Sequence, residues 1–323
     1  MNNITKNEII TAPCRQLNLF GYEEHFTYFA NLINKKKMPN VILFNGQKGL
    51  GKSTFVYHLV NYLLSQNEEE SYNLKDFTIS SENRSYKLLN SNTHPNVIIV
   101  DNIAKEKDIK IEQIRNVLRF TNNSTYSKDL KIIIIDNFEN LNINSTNALL
   151  KAFEEPKANT YFFIIHNSSY KVTETIKSRC TEFKIFFSHE KKKLILKNLL
   201  SAEEYKKKDI FNDYFYFDTP GTILKCLFLL NKKKFTTDDF LFEALTFFID
   251  SYKDDKNTDN FFFILLFIEK FYYKLCFSHQ DNSNIYFYNC LKILKLLNNM
   301  KTYNLDEKNI LFLINDILLN EKK

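Results

Sequence analysis

Eight residues carry the strongest chemical signal in the chain: Gly46-Gln-Lys-Gly-Leu-Gly-Lys-Ser53. They match G-x-x-x-x-G-K-[ST], a loop whose backbone N–H groups cradle phosphates while its Lys and Ser/Thr reach the terminal phosphates and a magnesium ion. Gly46, Gly49 and Gly51 let the backbone curl. Lys52 and Ser53 supply charge and hydroxyl, and Thr54 opens the helix whose positive end adds to the anion field. The chain holds only five glycines, and three stand in this loop. A glycine-rich turn with no ligand is the plainer alternative, and the flanks argue against it. Val41 to Phe44 predicts a strand, and apolar residues at 55, 56, 59, 60, 63 and 64 predict a helix.

Other residues add to this chemistry. Asp136 ends an isoleucine run some 84 residues after Lys52, where an aspartate can share the magnesium with Ser53; capping the next helix is its plainer role. The next position is Asn137, which can hydrogen-bond a water but cannot take its proton. Glu139, two residues on, is expected to point elsewhere. Arg179, in Ser178-Arg-Cys180, reads either as a surface ion pair or as a residue that completes a neighbour's nucleotide site. Cys180 reads as a core thiol and His166 as a structural histidine.

The elements that must position these residues alternate. Strands are expected at 94–101, 131–136, 160–165 and 183–187, with helices between them, one from Ser145 as N-cap to Glu155. This is an α/β P-loop domain with a parallel sheet, helices on both faces. Residues 65–93 read as a polar surface connection. Beyond Ser188 only helical periodicity remains, with lysine runs at 191–193, 206–208 and 232–234 read as solvated faces. The expected division is 1–187, a small helical unit at 188–235 and an all-helical unit at 236–323.

Composition narrows the class. Net charge is +6, with 23 basic against 19 acidic residues in 1–187 and 21 against 19 in 188–323, too balanced for nucleic-acid binding by bulk field. The five cysteines (14, 180, 226, 276, 290) lack metal-ligand spacing, so neither zinc nor a disulfide framework is expected. No signal-peptide pattern and no apolar run near twenty residues is found, so no membrane is expected and the setting reads as cytoplasmic.

Three blocks then combine. Asp136-Asn-Phe-Glu139, Asn147-Ala-Leu-Leu-Lys-Ala-Phe-Glu-Glu-Pro156 and Ser178-Arg-Cys180, with the P-loop before them, resemble bacterial clamp-loader subunits of the AAA+ class over about residues 18–187. Within that family the delta prime branch of DNA polymerase III is the nearer match. The gamma/tau branch has a four-cysteine zinc module, and residues 54–135 here hold no cysteine. That branch also has Asp-Glu at 136–137 and a nucleotide-sensing arginine in its lid, where this chain has Thr219-Pro-Gly-Thr222 and, one turn on, Lys225.

The resemblance implies a lid and a collar for the two helical units, with the collar the site of assembly. It implies partners too: gamma/tau and delta subunits, and through them the sliding clamp and primed DNA in replication. It implies ATP or ADP with Mg2+ at Gly46, Gly49, Gly51, Lys52, Ser53, Thr54 and Asp136, held rather than efficiently hydrolysed. Arg179 would act in trans on a gamma/tau subunit's ATP. The alternative is a catalytically active gamma/tau-like ATPase.

Overall fold

The computed structural model describes residues 12–102, 108–122, 130–200, 218–230, 240–256 and 258–321. Among these, one compact unit comprises everything up to 200 together with 218–225, and a second comprises 226–321. The lysine runs at 206–208 and 232–234 lie outside the described residues.

The first unit is built on five parallel strands: β1 (Val41–Gly46), β2 (Val97–Val100), β3 (Lys131–Ile135), β4 (Thr160–Asn167) and β5 (Thr181–Lys184), in the order β2-β3-β4-β1-β5. Side chains alternate between faces along each strand, and the core divides accordingly. Ile42, Phe44, Ile132, Ile134, Phe163 and Ile165 pack with α1 (Glu23–Asn34) and α2 (Lys52–Ser65) through Phe26, Phe29, Phe55 and Leu59. On the other face, Val41, Leu43, Ile133, Ile135, Phe162 and Ile164 pack with α4 (Ile111–Asn122) and α5 (Ile143–Glu154) through Ile114, Val117, Leu149 and Phe153. Continuous apolar runs such as Ile132–Ile135 are what a sheet covered on both faces requires.

Two local expectations need correction. Residues 65–93 are not a bare surface connection. They carry α3 (Arg84–Asn90), and Tyr72, Ile79 and Leu89 are buried in the core. Polar side chains fix this segment. Asn83 caps α3 by accepting from Tyr86 N at 2.6 Å, accepts from Asn61 Nδ2 at 2.8 Å and donates to Glu70 O at 2.5 Å. The cap of α5 is Asn142, not Ser145. Ser145 is buried in the first turn, and its backbone N–H donates to Asn142 Oδ1 at 2.8 Å. Asparagine caps as well as serine, and here it stands three residues earlier.

After α6 (Glu174–Lys177) and α7 (His189–Leu199), helix α8 (Pro220–Leu230) contains the boundary between the units. In the second unit α9 (Phe240–Asp255) packs on α10 (Thr258–Ser278), α10 on α11 (Ser283–Thr302), and α12 (Glu307–Glu321) on both α11 and α9. Phe248 stacks on Phe263 with ring centroids 5.0 Å apart, beside buried Phe267. No helix among the described residues is long and apolar enough to cross a membrane.

His58 ties α2 to the polar segment, its ring nitrogens bonding Tyr72 Oη and Gln16 O, each at 3.0 Å. Burial lowers its pKa from 6.5 to about 4. The unfolded chain therefore takes up a proton at this residue between those values. Stability is complete above pH 6.5 and falls as pH drops toward 4, by up to about 3 kcal/mol. His25 and His166, also lowered by burial, add in the same direction. Urea unfolding at pH 7.5 and pH 5 should show this loss, and His58→Gln, which cannot titrate, should reduce it. An equal loss in the variant would contradict the assignment.

Candidate nucleotide site

The parallel register brings the C-terminal ends of β1, β3 and β4 to one edge: Leu43 lies level with Ile164, and Ile164 with Ile135. At that edge β1 gives way to the Gly46–Ser53 loop. Gly49 and Gly51 adopt φ of +84° and +85°, a region other residues rarely tolerate. A side chain at Gly49 would also strike Thr219 Oγ1.

The loop's functional groups converge. Lys52, 6 % exposed, donates from Nζ to Gly46 O and Gln47 O, both at 2.7 Å. Ser53 donates from Oγ to Asp136 Oδ2 at 2.6 Å, across the intervening β4. Burial pulls the Lys52 ammonium down to about 8, partly offset by Asp136 and Glu139. Burial raises the Asp136 carboxyl, and Asp101 pushes the same way, while Ser53 and the Asn137 N–H oppose it.

A cavity of about 440 Å3 is lined by Gly49, Gly51, Lys52, Ser53, Thr54 and Asp136, all assigned from sequence. Gly46 contributes its carbonyl to Lys52 instead. Arg179 does not line this cavity. It stands between α6 and β5, donating from Nε to Glu154 Oε1 at 2.6 Å and from Nη1 to Thr175 O at 2.8 Å. Cys180 is partly buried against the second core cluster, its thiol pushed up to about 12.

Several members of the site were not assigned from sequence. Asp101 accepts from Asn137 Nδ2 at 2.7 Å, so the amide beside Asp136 is already engaged. Glu139 does not point away. A left-handed Asn137 (φ 50°) and the 3-10 turn Phe138–Asn140 bring it round to line the cavity, where its Oε2 accepts from Asn167 N at 3.1 Å. Thr219 Oγ1 donates to Lys48 O and Gly221 N to Gly49 O, each at 2.8 Å, so the start of α8 braces the outside of the loop. An aspartate closing a strand, as Asp101 does, was the one visible signal.

A family model described as DNA polymerase III, delta subunit, matches residues 21–188, more than half of the chain. The chain belongs to this family. The matched span holds the phosphate loop, Asp136 and Arg179. Subunit delta' of Pseudomonas aeruginosa is 27% identical over 154 residues, covering 48% of this chain and 45% of that protein. Subunit delta' of Buchnera aphidicola subsp. Baizongia pistaciae is 30% identical over 175 residues, 51% of this chain and 49% of the relative. DNA polymerase III subunit gamma of Buchnera aphidicola subsp. Acyrthosiphon pisum is 28% identical over 199 residues, covering 60% and 53%. The chain thus spans about half the length of the curated delta' relatives it matches.

Loop, lysine and Ser53–Asp136 pair fit a polyphosphate. The cation-binding groups are sparse: among the described residues no three His, Cys, Asp or Glu cluster as a metal site. Magnesium characteristically draws on substrate phosphates with one or two carboxylates, so Ser53 and Asp136 suffice only with phosphate present. The geometry also predicts a trade-off. Burial, with Asp101 adding to it, raises the Asp136 carboxyl pKa, so its ionised form weakens the fold at neutral pH. Asp136→Asn should leave the thermal midpoint unchanged or raise it by a few degrees. A loss of more than about 1 kcal/mol in a denaturant titration would mean that Asp136 is structural.

Proposed function

We propose that this chain is a clamp-loader subunit of the delta prime kind, acting in DNA replication. It holds ATP or ADP weakly or structurally and lends Arg179 to the ATP site of a neighbouring gamma/tau subunit. The reading extends to the chain's organisation: residues 188–235 serve as lid and 236–323 as collar, in a hetero-oligomer with gamma/tau and delta that loads the sliding clamp on primed DNA in the cytoplasm.

One observation carries it: the groups for holding phosphate and the group for stabilising charge are on different surfaces. Lys52, Ser53 and Asp136 meet in the cavity, whereas Arg179 lies outside it. Within the cavity Asn137 cannot accept a proton, and its amide already donates to Asp101. Bound nucleotide would be oriented by the loop's N–H groups, Lys52 and a Ser53–Asp136 magnesium pair, without a base where the attacking water needs one. A guanidinium reaching a separate site would stabilise transition-state charge there.

A second reading, a self-sufficient gamma/tau-like ATPase, is favoured by Glu139, a further carboxylate on the cavity wall beside Asp101 and Asp136. Its Oε2 is held by Asn167 N, which counts against it as a base. Steady-state ATPase separates the two. The isolated chain should turn over negligibly, and Arg179→Ala should lower hydrolysis at one neighbouring site by about 10³-fold or more. In an assembly with several active sites this reads as the loss of one site's share. An unaffected assembly would exclude the finger, and robust turnover by the isolated chain would favour the second reading.

A further inference from the structure

Arg179 is not extended toward solvent. A guanidinium has five N–H donors, and four are committed within this domain. Nε and Nη2 both bond Glu154 Oε1, and Nη1 bonds Thr175 O at 2.8 Å and Ser178 Oγ at 3.2 Å. One Nη2 hydrogen is left for any other acceptor. Gripping a phosphate with two parallel N–H bonds, the arrangement that makes arginine effective there, requires Arg179 to give up part of this set.

The partner that holds it is placed by the fold. Glu154 is the last residue of α5, where the helix dipole disfavours a carboxylate and a neighbouring cation relieves it. Thr175 is the second residue of the single-turn α6 and Ser178 its C-cap; so short a helix leaves the Thr175 carbonyl open to a cation, and Ser178 adds its hydroxyl. The pair is also accessible, with side chains 30% and 46% exposed. Ion pairs so exposed to water are weak and exchangeable. The polyphosphate of a docked neighbour offers more charge than one carboxylate.

We infer that Glu154 is a latch that parks Arg179 on its own domain, released when a polyphosphate-bearing neighbour docks. This rests on Arg179 acting in trans, and it adds a restraint which that reading does not require. Glu154→Gln keeps the shape and removes the charge. In the complete assembly with ATP, clamp and primed DNA, it should raise the ATPase share that depends on Arg179 by about two- to five-fold, the population equivalent of an exposed ion pair. Arg179→Ala with Glu154→Gln should match Arg179→Ala alone. A decrease or no change with Glu154→Gln would overturn the latch, a decrease making Glu154 a brace that positions the finger.

A second readout needs no partner. In the isolated chain, the Arg179 Nε–H resonance should shift and exchange faster with water in Glu154→Gln, with the thermal midpoint little altered. An unchanged resonance would overturn the latch whatever the ATPase shows. If Arg179→Ala leaves the assembly's ATPase intact, the finger reading fails, and the latch is then decided by this resonance alone.

Discussion

The hydrogen bond from Ser53 Oγ to Asp136 Oδ2 joins two residues 83 positions apart, and it depends on the sheet. Strand β1 lies between β4 and β5, and β4 separates it from β3. Only parallel strands in matched register open at the same edge, so that the loop leaving β1 and the aspartate leaving β3 face each other across β4. The buried isoleucines of β3 and the phenylalanines of α1 and α2 hold that register. The Lys52–carbonyl contacts, the engaged Asn137 and the Thr219 brace all follow from where this edge places the loop.

The same edge accounts for asparagine at position 137. Directly after β3 the chain must turn back into the 3-10 segment, and residue 137 does so with φ of 50°. Asparagine tolerates the left-handed region better than glutamate. Its side chain can also donate to Asp101, which a carboxylate could not do. A backbone requirement and a hydrogen bond thus explain the residue without a catalytic task. In the proposed function, the groups that would hold phosphate are all in place, while Asn137, at the position that would orient water, is engaged by Asp101.

Much of this was legible in sequence because it is local. The loop motif, the β-branched strands and the aspartate after β3 are patterns within a few residues, and they recovered all five strands to within about three residues at each end. What was missed depends on distant partners or on polar packing. Residues 65–93 looked like a solvated connection because they are largely polar and acidic, yet Asn83 bonds Asn61 and the Glu70 carbonyl beside α3, whose Ser85 and Leu89 are buried. Glu139 was misdirected because a left-handed residue ahead of it rotates the turn. Thr219 meets Lys48 across 171 positions, a contact that no periodicity reports. Glu154, seen only as part of a sequence block, gains meaning once α5 ends beside Arg179.

In the proposed function, nucleotide held in this cavity is not consumed there. Single-turnover mixing of the isolated chain, in excess, with γ-labelled ATP and Mg2+ tests it most directly. The wild-type chain should retain ATP, which is recovered intact over many minutes, and Lys52→Ala should lose it. Release of labelled phosphate at about 1 s⁻¹ or faster, abolished by Glu139→Gln, would contradict the proposal and make this cavity an engine in its own right.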